Sequence, residues 1–191
     1  MKLSLTGAPL PPGADEGDDA LGGASPARSY QDQEALDRRF MALALEEARE
    51  AGNQGEVPVG CVIVLADRVV ARAGNRIEQR QDPTAHAEII ALRKAALRLG
   101  NWRLCHATLY STLEPCAMCM GALMQARAAR LVFGAFDAKF GAAGSLYDFS
   151  RDPRLNHRIR VMSGVEADPC RELMQAFFRD LRARKRSKRS G

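Results

Sequence analysis

Apolar and polar positions along the chain switch between two periods. Leu36, Phe40, Leu43, Ala44 and Glu47 recur at helical spacing with the apolar side chains on one face, and Gly52 stops the run. VGCVIVL (59–65) is a continuous apolar stretch of strand length. Ala66-Asp67 reads as a turn, and RVVARAG (68–74) as a returning strand that ends at Gly74-Asn75. Asp82-Pro83-Thr84 predicts the start of a helix running to about Leu99, with Gly100-Asn101 as its stop. ATLYSTL (107–113) reads as a strand, Pro115 to about Arg127 as a helix, and ARLVFGA (129–135) as a strand. Residues 136–157 form a long Gly-containing loop, RIRVMSG (158–164) a short strand, and the chain turns helical again from Pro169.

Strands alternating with helices in this order predict an α/β fold. The expected architecture is a three-layer α/β/α sandwich around a central five-stranded mixed sheet. No internal repeat is visible. Residues 1–31 are rich in Gly, Pro, Ala and Asp and poor in large apolar side chains, so they read as a disordered acidic leader. Residues 32–182 form the expected domain, and 183–191 a basic C-terminal tail.

Composition narrows the class. The chain has 191 residues, 46% hydrophobic and 27% charged, which suits one soluble domain. No apolar run approaches the roughly 20 residues of a membrane span. The prolines in MKLSLTGAPLPPG break any signal-like core, so the expected location is cytoplasmic. In that compartment the five cysteines read as thiols or metal ligands, not as a disulfide framework. The net charge of +5 is uneven. Between 179 and 190, seven basic side chains face Asp180 alone. Such a run suits a polyanion, and equally a solvated C-terminus.

Cys116 and Cys119, in LEPCAMC, are i and i+3 in the first turn of a predicted helix, where the helix dipole favours thiolate. His86 and Glu88, in T-A-H-A-E, lie at the start of another. In mid-helix i and i+2 face apart, so spacing alone does not bring both to one site. His86, Cys116 and Cys119 make three ligands. Structural zinc takes four protein ligands, whereas catalytic zinc keeps one position for water. Glu88 could close the site or serve as a base beside that water.

H-A-E with P-C-A-M-C resembles the signature of the zinc nucleobase deaminases. From about Phe40 to Arg182 the chain is similar to the bacterial tRNA-specific adenosine deaminases. The matching stretches are EVPVG (56–60), GNR (74–76), DPTAHAEI (82–89), TLYSTLEPCAMCMGA (108–122), FGAFDAKFGAAGSL (133–146), LNHR (155–158) and Phe-Phe-Arg (177–179). The resemblance implies a cytidine-deaminase-like fold, a homodimer, one Zn2+ per subunit and no membrane. It implies hydrolytic deamination of the wobble adenosine in a tRNA anticodon stem-loop. A zinc-activated water would attack C6, and Glu88 would protonate N1 and then the departing amine. Asn75 matches the position that hydrogen-bonds the base. Asp137, Lys139, Ser145, Asn156, His157, Phe178, Arg179 and Arg182 match positions that contact RNA. Phe140 departs from the smaller residues of its slot, and Cys61 from a small apolar one. Two rival readings are a deaminase of free cytosine, guanine or a nucleoside, and an RNA-binding module whose structural zinc takes Cys105 or His106 as fourth ligand.

Overall fold

In a computed structural model, which describes residues 29–187, five strands form one mixed sheet in the order β2-β1-β3-β4-β5. The strands are β1 (Gly60–Leu65), β2 (Arg68–Gly74), β3 (Thr108–Leu113), β4 (Arg130–Ala135) and β5 (Arg160–Ser163). The helices are α1 (Tyr30–Asn53), α2 (Ile77–Arg80), α3 (Ala87–Leu99), α4 (Ala117–Gln125) and α5 (Ala167–Ser187). β1 is antiparallel to both of its neighbours, while β3, β4 and β5 are mutually parallel. Every strand but β1 therefore runs the same way.

Side chains alternate across the sheet, as strand geometry requires. Val62, Val64, Tyr110 and Val132 pack under Phe40, Met41, Ala44 and Leu45 of α1 and Cys170 of α5. Cys61, Ile63, Leu109, Leu131 and Phe133 pack under Ile90, Ala91 and Ala95 of α3 and Met120 and Leu123 of α4. The expected three layers are present. Cys61 is fully buried in this core, and burial pushes its thiol well up, so it is a packing residue. On the α1 side, buried Asp37 accepts both Arg130 guanidinium nitrogens (2.6 Å each), the Tyr110 hydroxyl (2.9 Å) and Gln33 Nε2 (2.9 Å). One carboxylate thus joins α1 to β3 and β4.

Three boundaries differ from expectation. α1 begins at Tyr30, two residues before the expected edge of the domain, because the Ser29 hydroxyl accepts Asp32 N–H and caps it. The rest of the expected leader, residues 1–28, lies outside the described residues. α5 runs unbroken to Ser187, so 183–187 of the expected tail are helical, and 188–191 lie outside the described residues. The third difference is at α3. Asp82 Oδ1 accepts both the N–H and the hydroxyl of Thr84, and Asp82 O accepts Ala85 N–H. These bonds fold 82–85 into a turn and delay the helix to Ala87. Among the described residues no helix is long and apolar enough to cross a membrane.

Candidate metal centre and active site

β2 and β3 point the same way on either side of β1, so the segments leaving them emerge at one end of the sheet. α3 follows β2 by way of α2, and α4 follows β3 directly. Each of these helices presents its N-cap residue at that end: His86 for α3 and Cys116 for α4. Both have extended backbone, with ψ of 151° and 174°, and neither side chain caps its own helix. The two side chains are therefore released toward each other. This backbone also resolves the i, i+2 problem. His86 is not on the helical spiral, so His86 and Glu88 reach the same cleft.

His86 Nδ1 lies 3.8 Å from Cys116 Sγ and 3.6 Å from Cys119 Sγ, and the two sulfurs are 3.7 Å apart. Tetrahedral zinc with Zn–S of about 2.3 Å and Zn–N of about 2.0–2.1 Å has S–S edges of about 3.8 Å and S–N edges of about 3.6 Å. The three donors fit that ion in both chemistry and spacing. The Cys116 thiol is held at about 4 by the Cys119 thiol hydrogen bond, against burial, with help from His86. The same bond, together with burial and Glu88, pushes Cys119 far up. A thiolate at Cys116 thus sits beside a thiol at Cys119, and a bound cation would displace the remaining proton.

No carboxylate belongs to this group of three, whose ligand atoms lie within 4.8 Å of one another. Glu88 sits beside it, buried, with Oε2 accepting from Cys119 Sγ at 3.6 Å and Oε1 accepting the Ser111 hydroxyl at 3.0 Å. Burial raises the Glu88 carboxyl above its ordinary range, against the backbone, His86 and Ser111. A buried carboxyl whose proton affinity is raised, next to a three-ligand site, is suited to proton transfer. Cys105 and His106 precede β3, at the far end of that strand from Cys116, and neither joins the group. The fourth-ligand role considered for them has no support in this geometry.

The other expected site residues fall into four places. Asn75 directly follows β2 and is buried, and the next residue's N–H bonds Ala85 O, one residue before His86. It lines the cleft. Asp137, Lys139 and Ser145 lie on the loop after β4. Asp137 Oδ1 accepts the N–H groups of Lys139 (2.9 Å) and Phe140 (3.2 Å), and the Ser145 N–H and hydroxyl both donate to Glu114. Asn156 and His157 are bound to the α4–β4 turn, Asn156 Oδ1 by Arg127 (3.0 Å) and His157 Nε2 to Ala128 O (2.7 Å). That turn is at the opposite end of β4 from the metal ligands, so the fold does not bring these two to the cleft of the same chain. Phe178, Arg179 and Arg182 are exposed on α5.

Among the buried polar residues not singled out from the sequence, three hold the segments around the cleft. Ser111 holds Glu88, and nothing marks it out in a strand where Thr108, Tyr110 and Thr112 also carry hydroxyls. Glu56 accepts Glu78 N–H (3.2 Å) and Gln79 N–H (2.8 Å) and so caps α2, a four-residue helix too short to show a period. Glu114 is the third, and its partners are described below.

The family of cytidine and deoxycytidylate deaminase zinc-binding regions matches residues 34–135. The tRNA-specific adenosine deaminase of Bacillus subtilis (strain 168) is 45% identical over 153 residues, covering 80% of this chain and 95% of that protein. The tRNA-specific adenosine deaminase of Haemophilus influenzae is 47% identical over 152 residues, covering 79% of this chain and 88% of that protein. A solved structure from work on A-to-I editing by tRNA:A34 deaminases at the wobble position of transfer RNA is similar in fold, with a TM-score of 0.69. It is 49% identical and covers 71% of this chain and 98% of its own.

Proposed function

The chain belongs to the cytidine and deoxycytidylate deaminase zinc-binding family, and within it to the tRNA-specific adenosine deaminases, and on that premise we propose how its residues convert adenosine to inosine in tRNA. The substrate is the wobble adenosine of an anticodon stem-loop, the reaction is hydrolytic, and the products are inosine and ammonia. The observation that carries this reading is the three-ligand group with an independent, buried carboxylate beside it. His86, Cys116 and Cys119 would hold the zinc, which would supply Lewis acidity and lower the pKa of a bound water. Glu88 would take a proton from the water that adds to C6 and deliver it to N1 of the adenine, then carry the proton of the new C6 hydroxyl to the amine as the C6–N bond breaks and ammonia leaves. Ser111 keeps the carboxylate aimed during both transfers. Asn75 hydrogen-bonds the base, which enters the cleft unstacked from the loop.

Lys139, Phe178, Arg179 and Arg182 are exposed and serve as RNA contacts in this reading. Asp137, Ser145, Asn156 and His157 spend hydrogen bonds inside the protein and act as loop struts. A cytoplasmic homodimer completes the proposal. An apolar groove of about 330 Å³ lined by Gly121, Met124, Phe149 and Leu155 supports the pairing. Sedimentation as a monomer at working concentration would count against it.

The test is incubation with a stem-loop RNA bearing A at the wobble position, read out as inosine. Glu88→Gln keeps the shape of the side chain and the Ser111 bond. It is expected to retain zinc and lose roughly 10²–10⁴-fold in rate. Release of ammonia from free cytosine or guanine, with no inosine in RNA, would overturn the choice of substrate.

A further inference from the structure

Glu114 stands between the end of β3 and the ligand Cys116, and it is buried. Its backbone N–H bonds Ala135 O at 2.8 Å, which ties it to β4. Its carboxylate accepts four hydrogen bonds, all from the loop after β4. Oε1 takes the N–H groups of Ala143 (3.0 Å) and Ser145 (2.9 Å). Oε2 takes Asp137 N–H (3.1 Å) and the Ser145 hydroxyl. A carboxylate is acceptor-only, so these four donors use its whole capacity.

The same loop is fastened to the metal-binding turn by backbone. Gly141 bridges Cys116, and Ala142 N–H bonds Pro115 O at 2.9 Å. Gly141 has no room for a side chain. A methyl there would overlap the Glu114 carboxylate and lie 2.5 Å from Asp137 O. The loop has little apolar anchorage. Gly141, Ala142 and Ala143 are buried, while Lys139, Phe140 and residues 144–148 are exposed. Its position therefore depends on hydrogen bonds, and Glu114 accepts four of those that tie it to the rest of the chain.

We propose that Glu114 is a positioning residue: it holds the 137–145 loop in register with the metal-ligand turn, so that Lys139 and Phe140 meet the RNA beside the target base. The inference rests on the tRNA reading above and names the element that couples RNA docking to the metal centre. Phe140, an exposed aromatic on a turn fixed by Asp137, offers a face on which a neighbouring base stacks.

Glu114→Gln tests it. The amide nitrogen is a donor placed where the loop presents only donors, so at least one backbone N–H loses its acceptor. Zinc content is expected to stay at one per chain. The Kd for a stem-loop RNA, and the KM for its deamination, are expected to rise at least tenfold, with a smaller change in kcat. Gly141→Ala, which opens the same clamp with Glu114 intact, is expected to give the same signature. The double variant should match the stronger single variant instead of multiplying the two. Should Glu114→Gln fail to fold, Gly141→Ala and Ser145→Ala carry the test. Unchanged Kd and KM in the variants that retain zinc would overturn the proposal. So would a joint loss of zinc and kcat with KM unmoved, which is what a purely structural role produces. A wild type that binds the RNA but forms no inosine would count against the proposed reaction. The Kd comparison would still decide the role of Glu114.

Discussion

Asp37→Ala should be among the most destabilising single substitutions in this chain, and it should leave the chemistry alone. The Asp37 side chain is 3% exposed and that of its partner Arg130 15% exposed. Removal of the carboxylate strands a buried guanidinium and takes the acceptor from the Tyr110 hydroxyl. Breaking one side of a buried ion pair costs about 3–5 kcal/mol. For a domain of this size each kcal/mol lowers Tm by about 2–4 °C, so the expected drop is roughly 6–20 °C. Urea unfolding of the zinc-loaded protein measures the loss directly, with the slope m unchanged. Asp37→Ala with Arg130→Met should be less destabilised than Asp37→Ala alone, because no charge is then left buried. Zinc content and rate per folded molecule should match the wild type, since Asp37 is on the sheet face away from Glu88. The pH dependence has a definite sign. Burial by itself raises the Asp37 carboxyl, but hydrogen bonds from Arg130, Gln33 and Tyr110 outweigh it and hold it below 3.8. A carboxyl lowered on folding contributes its full stability above the unfolded value and loses it as pH falls through the folded one. The gap between wild type and Asp37→Ala should be constant near neutrality and shrink only below pH 3.8. A loss under 1 kcal/mol, or a gap that closes near pH 6, would refute the reasoning.

Other consequences are equally concrete. With zinc stripped, Cys116 is a half-buried thiolate at neutral pH, so iodoacetamide should label it well ahead of buried Cys61 and Cys170. Reloading zinc should protect it, while exposed Cys105 labels in both states; peptide mass mapping reads the order. Arg179→Gln with Arg182→Gln should weaken RNA binding and flatten its log–log salt dependence by about 0.7 for each phosphate no longer neutralised, measured as Kd across a salt series. Gly134→Ala would drive a methyl into Cys170 Sγ and to 3.0 Å from Thr112 O, lifting α5 off β4. Thermal unfolding should show a loss of about 1–3 kcal/mol.

The sheet and its covering helices were legible because burial writes a period into the chain. Alternation at Leu109, Tyr110 and Ser111, and helical spacing at Phe40, Leu43 and Ala44, report which side faces the core. The three zinc donors were legible because Cys and His are scarce and stand near predicted helix starts. What stayed hidden depends on hydrogen bonds, which leave no period. Nothing in T-A-H-A-E shows that the Asp82 turn delays α3 until His86 becomes its cap, yet that shift is what puts His86 and Glu88 in one cleft. Glu114 and Ser111 act through partners that lie 23 to 31 residues away, which no local pattern reports. The LNHR stretch also has a role inside the chain that its motif does not show. Asn156 and His157 match an RNA-contact motif, but within one chain they fasten a loop to the α4–β4 turn.

The two helix starts show how the fold yields local stability to the site. Ser, Thr, Asp or Asn at an N-cap stabilises a helix by about 1 kcal/mol relative to residues that make no cap bond. α1, remote from the metal, has such a cap in Ser29. α3 and α4 have His86 and Cys116 instead, and neither makes a capping bond. Both helix starts are therefore weaker than local rules favour, at the one place where two caps face each other across a cleft. Zinc binding offsets that deficit, because a metal bound only by the folded chain adds its binding free energy to folding. The same arrangement leaves the fourth coordination position open. A fourth protein ligand would strengthen the site further, but Glu88 lies outside the group of donors, and Cys105 and His106 are at the other end of β3. Stability is forgone twice in one cleft, at the caps and at the missing ligand, and both losses keep the metal accessible to water beside a carboxylate.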